Sequence, residues 1–176
     1  MNKIKFNTRI LTAFTSAAVL VAVLAVGGGF FPFQTADSFA QEPVEVAVAA
    51  KTIKWQPYQD SLKAGKKEDK KIFLNFYADW CTYCVKMEKE TFADPAVVAY
   101  LNQHFISTKV NSDTEQQLAR KYNVKGLPST WFLAEDGEAI GNLPGYIPAE
   151  MLLKILSFVG TDSYKTMTFQ QYMEKM

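Results

Sequence analysis

Apolar and polar positions along this chain change their period several times, and each change marks an element. Residues 10–33, ILTAFTSAAVLVAVLAVGGGFFPF, carry no charge and follow a start that holds Lys3, Lys5 and Arg9 without an acid. Residues 41–50 alternate Val44, Val46 and Val48 with Glu45 and Ala47, which predicts an extended linker or a short edge strand. Residues 55–71 have helix character in their middle, followed by Gly65 and a charged turn. The run IFLNFY, residues 72–77, is apolar on both faces apart from Asn75, the pattern of a central strand covered on both sides.

Helix-forming residues, VKMEKETF, follow that strand. Asp94-Pro95 reads as an N-cap with proline at the first helical position, opening AVVAYLNQH. FISTKV at 105–110 predicts a second strand, and DTEQQLARKYNV at 113–124 an amphipathic helix capped by Asp113 or Ser112. STWFLA predicts a third strand, Asp136-Gly137 the centre of a hairpin turn, and residues 138–142 a fourth. Pro148 opens a last core helix with Met151, Leu152, Ile155, Leu156 and Val159 on one face. The order β-α-β-α-β-β-α places crossover helices early and a hairpin late. It predicts an α/β fold, a mixed sheet sandwiched by helices. Beyond residue 160, Thr168 is positioned to cap a short helix with Phe169, Tyr172 and Met173 on one face, which either packs on the domain or binds a partner.

Composition changes this picture little. Apolar content is 48%, aromatic 14% and charged 21%, which is globular. Lys and Arg number 19 against 18 acids, a formal net charge of +1. There is no basic stripe with interleaved aromatics, so nucleic acid is not an expected partner. The N-terminal pattern matters more, because a basic start before an apolar run has the form of an export signal. Ser38-Phe39-Ala40 has small residues where a signal peptidase requires them, so the mature chain would begin at Gln41. The alternative is that residues 10–33 persist as a membrane anchor, being long enough to span a bilayer. A buried helix fits less well, because Gly27-Gly28-Gly29 and Pro32 would spoil its packing. The expected organisation is residues 1–40 as signal or anchor, 41–51 as linker, 52–160 as the domain and 161–176 as an extension. The domain is then expected outside the cytoplasm, periplasmic if the organism has that compartment.

The only two cysteines are Cys81 and Cys84, three apart, where the strand at 72–77 gives way to a helix. Unpaired N–H groups and the positive dipole end of a helix favour a thiolate at its N-terminus. Cys81 is therefore the expected nucleophile, exposed at the turn, with Cys84 one turn inside and able to resolve a mixed disulfide. A zinc site needs three or four ligands, and the chain offers these two and a lone His104, so no metal or cofactor is implied. A structural bridge over so short a loop would stabilise weakly. Redox chemistry fits best. In an oxidising compartment such a pair stays a disulfide unless a donor reduces it.

The residues ADWCTYC after a strand, TKVNSD on the next and VKGLPST before the third resemble thioredoxin. The block at 77–97 is more similar to the C-terminal thioredoxin-like domain of bacterial transmembrane thiol:disulfide interchange proteins, and the resemblance spans about residues 52–160. It implies a thioredoxin-like three-layer sandwich with Cys81 attacking and Cys84 resolving. Trp80 would flank the site, and Pro128 would be a cis-proline offering backbone hydrogen bonds to a substrate strand. Glu88, one turn beyond Cys84, matches an acid that tunes the thiol. Two departures stand out. Asn75 occupies the place of a buried Asp that helps proton transfer in the family, and Asn cannot titrate. Asp79 is close in sequence but is expected to point elsewhere. Thr82-Tyr83 is neither the dipeptide of thioredoxin nor that of strong oxidants, and potentials in this fold vary with it.

The function expected from this resemblance is an exported thiol:disulfide reductase acting on disulfide-containing exported proteins and fed by a separate membrane or periplasmic electron donor. The competing readings are a disulfide-forming oxidant or isomerase, and a peptide-binding module with idle cysteines.

Overall fold

A computed structural model describes residues 52–176. The export signal or anchor, the cleavage site and the linker lie outside the described residues. β-branched and aromatic runs form the strands, and polar-apolar periodic segments form the helices between them. The elements are β1 (Trp55–Gln56), α1 (Tyr58–Glu68), β2 (Lys71–Tyr77), α2 (Thr82–Glu90), α3 (Pro95–His104) and β3 (Phe105–Asn111). They continue with α4 (Gln116–Lys121), β4 (Ser129–Leu133), β5 (Ala139–Pro144), α5 (Ala149–Gly160), a 3-10 turn (Ser163–Lys165) and α6 (Phe169–Glu174). One sheet has the order β1-β3-β2-β4-β5; β1, β3 and β2 are parallel, and β4 runs antiparallel to both of its neighbours, β2 and β5. The mixed sheet of the sequence reading is what forms. Among the described residues no helix is long and apolar enough to cross a membrane.

The central strand β2 organises both cores. Phe73 faces Met87, Phe92, Leu101, Phe132, Leu152 and Leu156 on the α3/α5 side. Ile72, Leu74 and Phe76 face Tyr58, Ile106, Val110, Tyr122 and Leu133 on the other. Each such side chain withdrawn from water contributes about 1.5–3 kcal/mol. Burial on both faces explains why β2 reads as a continuous apolar run. It also fixes where its C-terminal end, and the cysteines beyond it, must lie.

Several local expectations are corrected. Helix α1 runs through Gly65, and its chain reversal comes at Asp69, which adopts the left-handed conformation with φ 53°. A Cβ on Gly65 would stand 3.0 Å from the Ile72 side chain, so the glycine lets α1 lie close on β2. No strand is expected at Trp55–Gln56; β1 forms there, two residues long and too short to show a period. Helix α4 starts at Gln116 without a side-chain cap, because Asp113 is engaged elsewhere. Met151 is exposed at the margin of the α5 stripe, whereas Leu152, Ile155, Leu156 and Val159 are buried. The Asp94 cap is present, its carboxylate accepting from Ala96 and Val97 N–H. In the extension, Thr168 caps α6 with a capping box, and Phe169 and Tyr172 pack on Phe158 of α5 at ring separations of 5.4 and 5.3 Å. The extension packs on the domain.

Lys71 opens β2 almost wholly buried, its ammonium 2.9 Å from Glu135 Oε1 and 3.0 Å from Asp162 Oδ1. It ties the β4–β5 turn and the start of the extension to the central strand. Burial alone would push the Lys71 ammonium down, yet the two carboxylates bonded to it hold it above its ordinary value. Glu135 is held below the usual carboxylate range by its bond to Lys71, and Asp162 by Lys165 and then Lys71. Carboxylates lowered on folding contribute stability above their ordinary values, 4.5 for Glu and 3.8 for Asp, and lose it as pH falls through the folded values. The raised Lys71 contributes below its ordinary 10.5 and loses that contribution as pH rises through the folded value. Lys71→Ala is expected to cost about 1–2 kcal/mol at neutral pH, since the carboxylates it leaves are partly solvated. The cost should shrink below pH 4. Urea unfolding of both proteins across pH measures it.

Candidate functional site

The site is built where β2 ends. After Tyr77 and Ala78 the chain turns, with Cys81 N–H donating to the Ala78 carbonyl at 3.1 Å. Cys81 is the N-cap of α2, and its Sγ accepts from the Cys84 N–H at 3.1 Å. The sulfur therefore caps the N-terminus of a nine-residue helix, on the Cys84 amide that it shares with the Cys81 carbonyl at 2.9 Å, and the positive end of the helix favours a thiolate there. Cys84 follows one turn in, and the two are joined as a disulfide with Cα atoms 5.2 Å apart.

Cys81 is not exposed as the sequence implied. It is 5% accessible, packed with Cys84 against Ala78, Tyr77 and Leu127. Capping α2 and bonding Cys84 both turn its sulfur inward. The side chains that reach solvent are Trp80 and Tyr83, 72% and 62% exposed, so two aromatic surfaces flank a sheltered disulfide. Trp80 is held by its indole N–H, which donates to Asp113 Oδ2 at 2.9 Å. That bond uses the carboxylate expected to cap α4. Trp80, Asp113, Arg120, Gly126 and Leu127 line a groove of about 440 Å³. The Leu127–Pro128 peptide bond is cis. Pro128 is buried, and its carbonyl accepts from Gly145 N–H at 2.7 Å.

On the inner side of the disulfide lies a cavity of about 190 Å³, lined by Asn75, Tyr77, Asp79, Cys84, Glu88 and Lys109 among others. Asn75 is 2% exposed and donates from Nδ2 to Thr130 Oγ1 at 3.1 Å. Glu88 forms an ion pair with Lys109. The fold thus brings Asn75, Cys84 and Glu88 to one cavity. Asp79 also lines it, contrary to expectation, with its carboxylate accepting from Asn111 Nδ2 at 3.2 Å. The sequence reading missed Lys109. Its only signal was a charge inside the strand run FISTKV, and its partner on α2 is 21 residues away. His104, at the exposed end of α3, stacks on Tyr100 and takes no part. Among the described residues no three His, Cys, Asp or Glu side chains are grouped to hold a metal ion.

The thioredoxin-like domain family matches residues 58–160. A thiol:disulfide interchange protein DsbD of Vibrio vulnificus is 32% identical over 147 residues, 79% of this chain and 25% of that protein. The chain spans about a quarter of the length of the curated relatives it matches. Among solved structures, a thioredoxin from Thermus thermophilus is 30% identical with a TM-score of 0.57, covering 61% of this chain and 87% of its own. A putative disulphide-isomerase from Bacteroides thetaiotaomicron is also 30% identical, with a TM-score of 0.54, covering 65% of this chain and 97% of its own.

The neutral Asn75 in this cavity has a measurable consequence. Asn75→Asp would add a carboxylate beside Cys84 and disfavour its thiolate, slowing alkylation of Cys84 in the reduced protein by about tenfold at neutral pH. An unchanged alkylation rate would show that position 75 does not act on the thiol.

Proposed function

The chain belongs to the thioredoxin-like family of thiol:disulfide oxidoreductases, and we propose that it works outside the cytoplasm as a reductase of disulfide-containing exported proteins. The observation that carries this reading is the Cys81 sulfur on the Cys84 amide at the N-terminus of α2, with Leu127, the residue before cis-Pro128, packed on the cysteines and lining one groove with the exposed Trp80. In the reduced protein the Cys81 thiolate attacks one sulfur of a substrate disulfide. A Cys81–substrate bond forms, and the other substrate sulfur leaves as a thiolate that takes up a proton. Cys84 then gives up its proton and attacks the Cys81 sulfur. The Cys81–Cys84 bond forms, the substrate leaves with its second sulfur reduced, and two electrons have passed to it.

Pro128 has no N–H and its carbonyl is occupied by Gly145, so the backbone of Leu127 is the part of this turn that would pair with an extended substrate segment. Trp80 and Tyr83 would cover the segment and exclude water from the exchanging sulfurs. Glu88, which lines the cavity with Cys84, is the candidate acceptor for the resolving thiol's proton, a role Asn75 cannot fill. The export pattern at residues 1–40 supports an extracytoplasmic site of action, soluble after cleavage or anchored by residues 10–33. The identity to the interchange protein supports the reductase direction and a separate electron donor.

Cys84→Ala provides the test. The variant can attack but cannot resolve, so substrates should accumulate on Cys81 as mixed disulfides that a thiol reductant releases. Their recovery by diagonal electrophoresis from the exporting host is the expected result. If the variant traps nothing while extended peptides still bind the Trp80 groove, the cysteines are idle and the domain is a peptide-binding module.

A further inference from the structure

We propose that Arg120 and Lys125 set the substrate preference of this site, favouring extended segments that carry acidic residues beside the disulfide to be reduced. This preference rests on the oxidoreductase reading above and names the chemistry of the segment the site would act on. Helix α4 ends at Lys121, and Asn123 adopts the left-handed conformation with φ 48°. The chain reverses there, with the Val124 N–H donating back to the Ala119 carbonyl at 3.0 Å. The reversal puts Lys125 and Arg120 on one groove with Trp80 and Leu127. Leu127 also packs on Cys81 and Cys84, so the groove is continuous with the sheltered disulfide. Tyr83, the other exposed aromatic of the rim, is not part of it, so the two cations serve one side of the cysteine pair.

The groove is rich in donors and poor in free acceptors. Its charged side chains are Asp113, Arg120 and Lys125. Asp113 is engaged, its carboxylate accepting from the Trp80 indole at 2.9 Å. Both cations are exposed, and among the described residues neither forms an ion pair. The backbone N–H groups of Lys125, Gly126 and Leu127 donate to no backbone carbonyl among those residues. Ser112 lines the same groove, and its hydroxyl is buried without a hydrogen-bond partner. An extended segment brings carbonyls for the open amides and, where it is acidic, carboxylates for the cations. The Arg120 guanidinium can hold a carboxylate through two parallel N–H···O bonds, whereas a basic segment would meet two like charges. The formal net charge of the chain is only +1, so the discrimination is local to the groove.

The test uses the full chain, reduced, in single turnovers with synthetic peptides whose one cysteine is joined to thionitrobenzoate by a disulfide. The Cys81 thiolate attacks the peptide sulfur and thionitrobenzoate leaves as a coloured thiolate. Cys84 then gives up its proton and attacks Cys81, and the peptide leaves as a thiol, two electrons having passed from the protein. The peptides carry two glutamates before the cysteine, two glutamates after it, or glutamines in both places. Each rate is divided by the rate of dithiothreitol with the same peptide, which removes intrinsic reactivity. One of the two acidic peptides should react about fivefold faster than the neutral one. That advantage should shrink in about 1 M salt, where charges are screened beyond about 3 Å. Arg120→Gln with Lys125→Gln should bring the ratio to one, and Arg120→Glu with Lys125→Glu should take it below one. Acidic peptides no faster than the neutral one, equal acceleration from both sides of the cysteine, or an advantage that survives the two glutamates would each overturn the preference alone. A parent chain that reduces none of the peptides overturns the oxidoreductase reading and the preference with it.

Discussion

The amide of Cys84 points at the sulfur of Cys81 across 3.1 Å, and the chemistry proposed for this protein depends on that contact. It is made by the first turn of α2, where the Cys84 amide is shared between the sulfur and the carbonyl of Cys81. The contact exists because β2 ends where it does. Phe73, Leu74 and Phe76 pin the strand between two cores, so Tyr77 and Ala78 emerge at a fixed height and the chain has one short turn in which to start a helix. A strand free to slip by one residue would send every side chain to the opposite face and lose the site.

The site has two sides with different physics. Outside, Trp80, Tyr83 and Leu127 leave an apolar rim around a sheltered disulfide, suited to an extended chain approaching from solvent. Inside, a small and mainly apolar pocket is lined by Cys84 together with Glu88, Asp79 and Lys109. The substitution that most distinguishes this chain within its resemblance, Asn75, belongs to the inner side. It removes a titratable group from the sheet and leaves the carboxylate chemistry to α2 and to the turn after β2. In the function proposed above, the N-terminus of α2 activates Cys81, whereas the carboxylates at hand for resolving through Cys84 are Glu88 and Asp79.

What the sequence made legible follows this division. The cysteine pair, the strand before it, the Asp94-Pro95 helix start and the Gly-Leu-Pro turn rest on local chemistry at fixed spacing, and each appears in the fold. The mixed sheet was legible because crossover helices and the Asp136-Gly137 hairpin demand opposite strand directions. Contacts between distant segments were not legible. Gly65 reads as a helix end, yet it is kept small by the approach of Ile72 from the next strand. Asp113 reads as a cap until Trp80 claims it. Lys109 reads as one charge in a strand, because nothing local shows that its neighbour in register is a neutral Asn75 whose amide is bound to Thr130.

The central claim is that this pair of cysteines gives electrons to exported proteins. The equilibrium reduction potential of Cys81–Cys84, titrated against dithiothreitol or glutathione buffers, tests it most directly. The account predicts a value near the thioredoxin end of the range, about −270 mV, at which a dedicated donor keeps the pair reduced. A value near about −120 mV would contradict it and make this protein an oxidant of its partners.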